Sequence, residues 1–371
     1  MTRAVFPRLY IKKVFSIRGG NSMTIARSRL VQEGHEGTFH CISRCVRSAF
    51  LCGHDTATNK NYEHRRKWLY SRLVELSGIF LMDVCGYAVM GNHLHVILRI
   101  RPDLSGECSD LEIADRWWRL FPKRRTVSFQ AAEPTEEELA LIIAGDGRVE
   151  ELRARLASLS WFMRCLKENI ARRANVEDGC TGRFWEGRFK SIALLDQAAL
   201  LTCLAYVDLN PIRAGMAESP ESSAYTSAQE RIEARQAEKK LKAVATMKPL
   251  DHQTRIELEK QSKRDQWLCP FMDQPHRRGF LDVNLEEYLE LLDWTGRQIV
   301  EGKKGAIPPY LAPILFRLDV DQEQWLFGCR KFGTLFYRVA GKVTCMAQAA
   351  REFGHKWLKG QKSSKALFLA G

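Results

Sequence analysis

Two histidines separated by one leucine, His93-Leu94-His95, stand in the apolar stretch HLHVILRI. Side chains alternate along a β-strand, so both imidazoles would share one face while Leu94 turns toward a core. Two imidazoles on one strand face can bind one metal ion, although such a pair taken alone is more often structural. A second set lies in Tyr206-Val207-Asp208-Leu209-Asn210, where Tyr206 and Asn210 are four apart and so project from one side of a helix. A helical tyrosine is by default an amphipathic core residue. The two sets together supply what phosphodiester cleavage needs: a metal held by His93, His95 and the amide oxygen of Asn210, with the Tyr206 hydroxyl beside it. A phenol with a free pKa of about 10 is a poor nucleophile at neutral pH unless the electrophile is polarised or its own proton removed. The metal would act as a Lewis acid on the phosphate. Mixed nitrogen and oxygen ligation with open positions suits Mg²⁺ or Mn²⁺ better than a closed zinc site. His35-Glu36 with His40 does not make a zincin motif, because histidines five apart do not share a helix face.

These residues need elements to position them. Thr38–Val46 (TFHCISRCV) is rich in β-branched and aromatic residues and predicts a strand; Glu63–Leu76 has the three-and-four apolar spacing of a helix. Val84–Met90 and His93–Arg99 predict adjacent antiparallel strands closed by Gly91-Asn92. From about 101 to 158 the character changes, through Trp117-Trp118 and a helix start at Pro134–Glu138, and this segment is read as an insertion. Ser160–Asn175 predicts a basic amphipathic helix and Gly182–Leu195 an extended segment. Asp196 is placed to cap a helix running through Tyr206 to Leu209 and stopped by Pro211. Residues 229–266, rich in Glu, Lys, Arg and Gln, predict a charged, solvated helical linker, and 267–371 a helical accessory domain whose clearest helix is Leu285–Ile299.

Three strings resemble a known family, the single-tyrosine HUH transposases, and within it the REP-associated tyrosine transposases: YAVMGNHLHVILRI (87–100), GRFWEGRFKSIALL (182–195) and above all AYVDLNPIRAG (205–215). The last is close to a signature of Tyr, three residues, then Asn-Pro-Val-Arg-Ala-Gly, with Ile212 in the valine's place. ARSRLV at 26–31 and the His40 to Arg44 strand resemble the family's opening. The resemblance implies Tyr206 as nucleophile, His93 and His95 as metal ligands and Asn210 as the third ligand. It implies an α+β fold, a ferredoxin-like antiparallel sheet with helices on one face, over a catalytic domain of 23–228. It further implies cleavage of single-stranded DNA near a hairpin through a 5′-phosphotyrosine, with a 3′-OH that can reverse the reaction and no nucleotide cofactor. The insertion and the C-terminal region exceed the minimal family domain. Insertion-sequence relatives are dimers that exchange tyrosine helices whereas the REP-associated branch resembles monomers, so monomer and homodimer both stay open. A domesticated hairpin-binding protein without transposition is the alternative. A small-molecule metallohydrolase lacks acidic ligands near His93.

Composition agrees with a nucleic-acid partner. The 371 residues carry a formal net charge of +13, and a basic surface repels itself unless an anion neutralises it. Within 1–22, Arg3, Arg8, Lys12, Lys13 and Arg18 belong to a segment read as a leader ahead of a second start at Met23, which leaves 13 − 5 = +8. Arg44, Arg47, Arg172, Arg173, Arg183, Arg188, Lys190 and Arg213 fall in the motif-bearing segments and would grip phosphates. Phe184 and Trp185 between Arg183 and Arg188 suit stacking of an unpaired base, with core packing expected for at least one of them. No segment approaches the roughly 20 apolar residues of a membrane helix. The cysteines are irregularly spaced without a Cys-x-x-Cys pair, which predicts reduced thiols in a cytoplasmic, nucleoid-associated protein. The basic tail from Arg351, with Gly354 able to end a helix, could pair two short helices as a helix-turn-helix.

Overall fold

A computed structural model describes residues 35–46, 51–55, 59–127, 130–245, 251–301, 312–317 and 320–368; the expected leader, Met23, ARSRLV and Arg47 lie outside them. In chain order the elements are strands β1 (Gly37–Arg44), β2 (His54–Asp55) and β3 (Lys60–Asn61), helix α1 (His64–Ser77), and the hairpin β4 (Met82–Val89) and β5 (His93–Ile100). The insertion is helical: α2 (Pro102–Glu107), α3 (Asp110–Leu120), α4 (Glu136–Ile143) and α5 (Arg148–Leu156). Then come α6 (Leu159–Glu177), β6 (Lys190–Leu194), α7 (Gln197–Asp208), α8 (Asn210–Arg213), α9 (Ser227–Ala245) and α10 (His252–Ser262). The C-terminal region holds α11 (Leu285–Glu301), α12 (Ala312–Arg317), α13 (Gln322–Leu335), β7 (Val339–Ala340), α14 (Val343–Glu352) and α15 (Gln361–Leu367).

The fold is α+β. Its main sheet has the order β4-β5-β1-β6-β7, antiparallel except for the last pair. The connection β1-α1-β4-β5-α6-β6 with β1 and β5 central is the ferredoxin-like arrangement. The expectation of a purely antiparallel sheet with helices on one face needs correction twice. β7 adds a parallel strand, and the second face is covered as well. Alternation explains the second point: Leu94, Val96 and Leu98 enter one core with α1 and α6, while Ile97, Ile192 and Leu194 enter another with α7 and the C-terminal helices. A strand apolar on both sides must be covered on both.

α1 and α6 present Leu69, Leu73, Leu76 and Phe162, Leu166, Ile170 to the first core at helical spacing. The insertion seals the end of this layer, with Ile113, Leu152 and Leu156 in the same core and the buried Trp118 donating from its indole N–H to the Ala132 carbonyl at 2.6 Å. Its helix start at Thr135 is a capping box with Glu138, as the sequence predicts.

α7 lies unusually close to the sheet because β4 has a glycine under it: a Cβ on Gly86 would stand 2.4 Å from a Leu204 methyl. The C-terminal helices do not form a core of their own. Trp325, Cys329 and Phe332 of α13 share one core with Leu201, Leu204 and Ala205 of α7. Nor is α9 a solvated linker. Glu230 and Arg231 are buried, Glu230 against Tyr70, Tyr87 and Arg264, and Arg231 donating to the Cys85 and Cys269 carbonyls, so these charges have internal partners rather than water. In the tail, α14 ends before Gly354, whose φ of +68° only glycine adopts freely, and α15 follows after the turn.

Candidate functional site

The site is built first on β5. His93 and His95 share the face that Leu94 leaves, as alternation predicts, with ring centroids 4.8 Å apart. β1 pairs Arg44 with His93 and Ile42 with His95, which puts His40 on the same face two residues along. His40 Nε2 lies 2.8 Å from His95 Nδ1 and the rings stack at 5.0 Å. His93 Nδ1 is held by the Asn92 side-chain oxygen at 2.6 Å.

All three imidazoles are kept neutral. Burial lowers His40 to about 3, helped by His93 and Arg213; burial, Arg44 and Arg213 lower His93 to about 4; burial and its two histidine neighbours hold His95 well below the ordinary range. The unfolded chain takes up these protons near pH 6.5 and the folded chain does not. Stability is therefore fully present above about pH 6.5 and falls toward pH 4, by up to about 1.4 kcal/mol per pH unit for each fully buried histidine and less for the half-buried His93. Urea midpoints measured from pH 7.5 to 4.5 should fall steadily in this window; a flat profile would show that the histidines titrate normally.

The Tyr206 side of the site comes from α7 and α8. Asp196 caps α7, accepting from the Ala199 N–H at 2.9 Å, as expected. Pro211 does not stop the chain; it sits in the first turn of α8, where its missing N–H costs nothing, and the helical path continues one more turn. Asn210 is thereby turned inward, its amide nitrogen 2.8 Å from His95 Nε2. The Tyr206 ring stands edge-on to His95 at 5.8 Å between centroids, and the Arg213 guanidinium covers it at 3.9 Å. Thus His93, His95, Tyr206 and Asn210 form one cluster.

α13 closes this cluster. Arg213 donates to the carbonyls of Cys329 (2.7 Å), Arg330 and Tyr206 (both 3.1 Å), and Phe332 lies 6.0 Å from the Tyr206 ring. A Cβ on Gly333 would stand 2.5 Å from the Tyr206 hydroxyl oxygen. Gly333→Ala should leave the fold intact, since alanine favours a helix interior by about 1 kcal/mol. It should displace the phenol and reduce any chemistry at the hydroxyl by about 100-fold, the scale of a 1 Å misplacement. Single-turnover rates alongside thermal melts check this, and an unchanged rate would mean that the phenol's position is not critical.

Two imidazoles and a carboxamide are of the donor types that hold a divalent cation, although as the side chains stand it is the Asn210 amide nitrogen, a hydrogen-bond donor and not a ligand, that faces His95 Nε2 at 2.8 Å; the amide oxygen would join the set by a turn of the carboxamide. Among the described residues no group of three or more His, Cys, Asp or Glu gathers into a metal cage. The set is two neutral imidazoles and an amide, which suits the nitrogen-tolerant Mn²⁺ better than Mg²⁺.

The remaining expected site residues divide. Arg44 beside His93, Lys190 on β6, and Arg183 and Arg188 on the loop before it are exposed and form no ion pair among the described residues. Arg172 pairs with Glu168 and Arg173 stacks on Trp68 at 4.1 Å. Two expectations are corrected. Trp185 is buried, its indole N–H on the Lys167 carbonyl, because its aromatic area packs in the α1–α6 core where no base can reach it. Arg213 spends its donors on carbonyls rather than phosphates. Phe184, half-buried, lines a cavity of about 260 Å³ with Lys60 and Arg183. Glu36 turns away to Arg278, so the zincin spacing has no structural counterpart. Sequence reasoning missed His40 and Gly333; only the period-two position of His40 within TFHCISR signals a shared face.

No protein-family model matches the chain, and no curated protein does. One solved structure, a REP-associated tyrosine transposase bound to a REP hairpin, is similar over 53% of this chain and 79% of its own, at 11% identity and a TM-score of 0.31. No helix among the described residues is long and apolar enough to cross a membrane.

Proposed function

We propose that the protein is a metal-dependent single-strand DNA endonuclease of the HUH transposase type, which cleaves and rejoins DNA near hairpins through a 5′-phosphotyrosine on Tyr206. The observation that carries this reading is the convergence of a phenol, two neutral imidazoles and an amide from β5, α7 and α8, side by side although 111 residues of sequence separate His95 from Tyr206 (206 − 95). His93, His95 and Asn210 would hold Mn²⁺ or Mg²⁺. When bound, the ion supplies Lewis-acid polarisation of the scissile phosphate.

The chain's own residues supply the rest. Tyr206 attacks phosphorus, the O3′ of the neighbouring nucleotide leaves, and the phosphodiester's energy is kept in the phosphotyrosine so that the 3′-OH can reverse the step. Arg213, stacked over the ring at 3.9 Å and anchored on three carbonyls, holds the phenol in place for attack. Arg44 at the mouth beside His93, with Lys190, Arg183 and Arg188 nearby, is available to hold the flanking backbone.

The test is a denaturing gel of the full chain incubated with hairpin-bearing single-stranded DNA and Mn²⁺. A band shifted by covalently attached DNA is expected. Tight, salt-sensitive binding without an adduct across many hairpins would favour the domesticated hairpin-binding alternative. Neither binding nor adduct would remove DNA as the substrate.

A further inference from the structure

The geometry points to His40 as a positioning residue: its Nε2 accepts the Nδ1–H of His95 and so holds His95 in the tautomer whose Nε2 lone pair faces Asn210. This deepens the functional reading above, on which its role in metal binding rests. His40 is fully buried in the middle of β1, and its ring lies stacked on His95 with the two nitrogens 2.8 Å apart. The Asn210 amide nitrogen faces His95 Nε2 at 2.8 Å, and an N–H directed at that atom requires a bare lone pair there. The only proton left on His95 is then on Nδ1, directed at His40. His40 must in turn carry its own proton on Nδ1, which is buried and has no partner.

A buried, unpartnered N–H is destabilising. An apolar side chain of similar size would avoid this cost, so packing alone does not account for a histidine here. A metal-binding imidazole, by contrast, almost always donates its second N–H to an acceptor that fixes ring and tautomer. Across the strands from His95 stand Ile42 and Ala88, neither with a side-chain acceptor; of the two imidazoles beside it, His93 is held by Asn92 and His40 is the one at hydrogen-bond distance.

The experiment uses the full chain labelled with ¹⁵N-histidine, without metal, and reads the His95 tautomer from long-range ¹H–¹⁵N spectra, assigned through a His95→Gln variant. Wild type should show a protonated Nδ1 and a bare Nε2. His40→Leu, which cannot accept, should move His95 to a mixture or to the other tautomer, and His40→Gln, whose side-chain oxygen can accept, should restore the wild-type pattern. Free Mn²⁺ followed by electron paramagnetic resonance should show binding weakened about tenfold in His40→Leu and recovered in His40→Gln. A proton on His95 Nε2 in wild type, or a His40→Leu protein with an unchanged tautomer, overturns the assignment. Should His40→Leu not fold, the wild-type and His40→Gln spectra still decide it. Wild type that binds no Mn²⁺ would sink the metal part of the functional reading, and the tautomer comparison would still judge His40 separately.

Discussion

Tyr206→Phe should abolish the covalent protein–DNA adduct while leaving the protein folded and able to bind DNA. The substitution removes one oxygen. The ring, which carries the edge contact to His95 and the Arg213 stack, stays in place, and the hydroxyl packs against Gly333, where its loss opens little space. A thermal midpoint within a few degrees of wild type is therefore expected. Losing the attacking atom of a concerted site costs about 10⁴-fold or more in rate, which on a denaturing gel is disappearance of the band. Binding, which the proposed function rests on cations such as Arg44 and Lys190, should keep its salt dependence. An adduct that persists in the phenylalanine variant would assign the nucleophile to another residue.

The largest effect on stability is expected at Asp208, between Tyr206 and Asn210 in sequence but facing away from them. Its carboxyl is fully buried and accepts from Ser227 Oγ at 2.5 Å, the Ala228 N–H at 3.1 Å and Tyr288 Oη at 2.6 Å. It thereby ties the end of α7 to the first turn of α9 and to α11. Burial raises its pKa, while Arg231 and the three donors oppose that rise. Asp208→Ala strands the Tyr288 hydroxyl and the Ala228 N–H in an apolar core, takes one of the Ser227 hydroxyl's partners and removes a negative charge that opposes that of the buried Arg231, a loss of about 3 kcal/mol. Asp208→Asn keeps one acceptor oxygen and should lose about half of that. Urea unfolding followed by circular dichroism measures both. A loss under about 1 kcal/mol for the alanine variant would mean that water replaces the carboxylate.

The legible features were those that repeat at short range. Alternation places His93 and His95 together, three-and-four spacing gives α1 and α6, and the Asp196 cap marks where α7 begins. The four-residue spacing makes Tyr206 and Asn210 helical neighbours, and they do meet one site, although Asn210 arrives there through a new turn rather than the same helix. The charged residues are less legible because charge says nothing about distant partners. Arg213 looks like a phosphate contact until α13, more than a hundred residues later, offers its carbonyls. Glu230 and Arg231 look solvated until Tyr87, Arg264 and two backbone oxygens surround them. His40 escaped for the same reason: its partner is 55 residues away and only sheet register brings them together. The C-terminal region, expected as a separate accessory unit, shares a core with α7 because α7 is buried along nearly its whole length.

The parallel strand β7 also sets a timetable. β6 has β1 on one side, but its other edge waits for Val339 and Ala340, which leave the ribosome 146 residues after Leu194 (340 − 194). At about 5–20 residues per second that interval is about 7–30 s. Through it, the nascent chain carries an open strand edge and a Tyr206 not yet covered by α13. An exposed edge is a template for pairing with other chains. During synthesis the protein is thus expected to depend on protection of that edge, whereas afterwards the edge is filled by Val339 and Ala340 of the same chain.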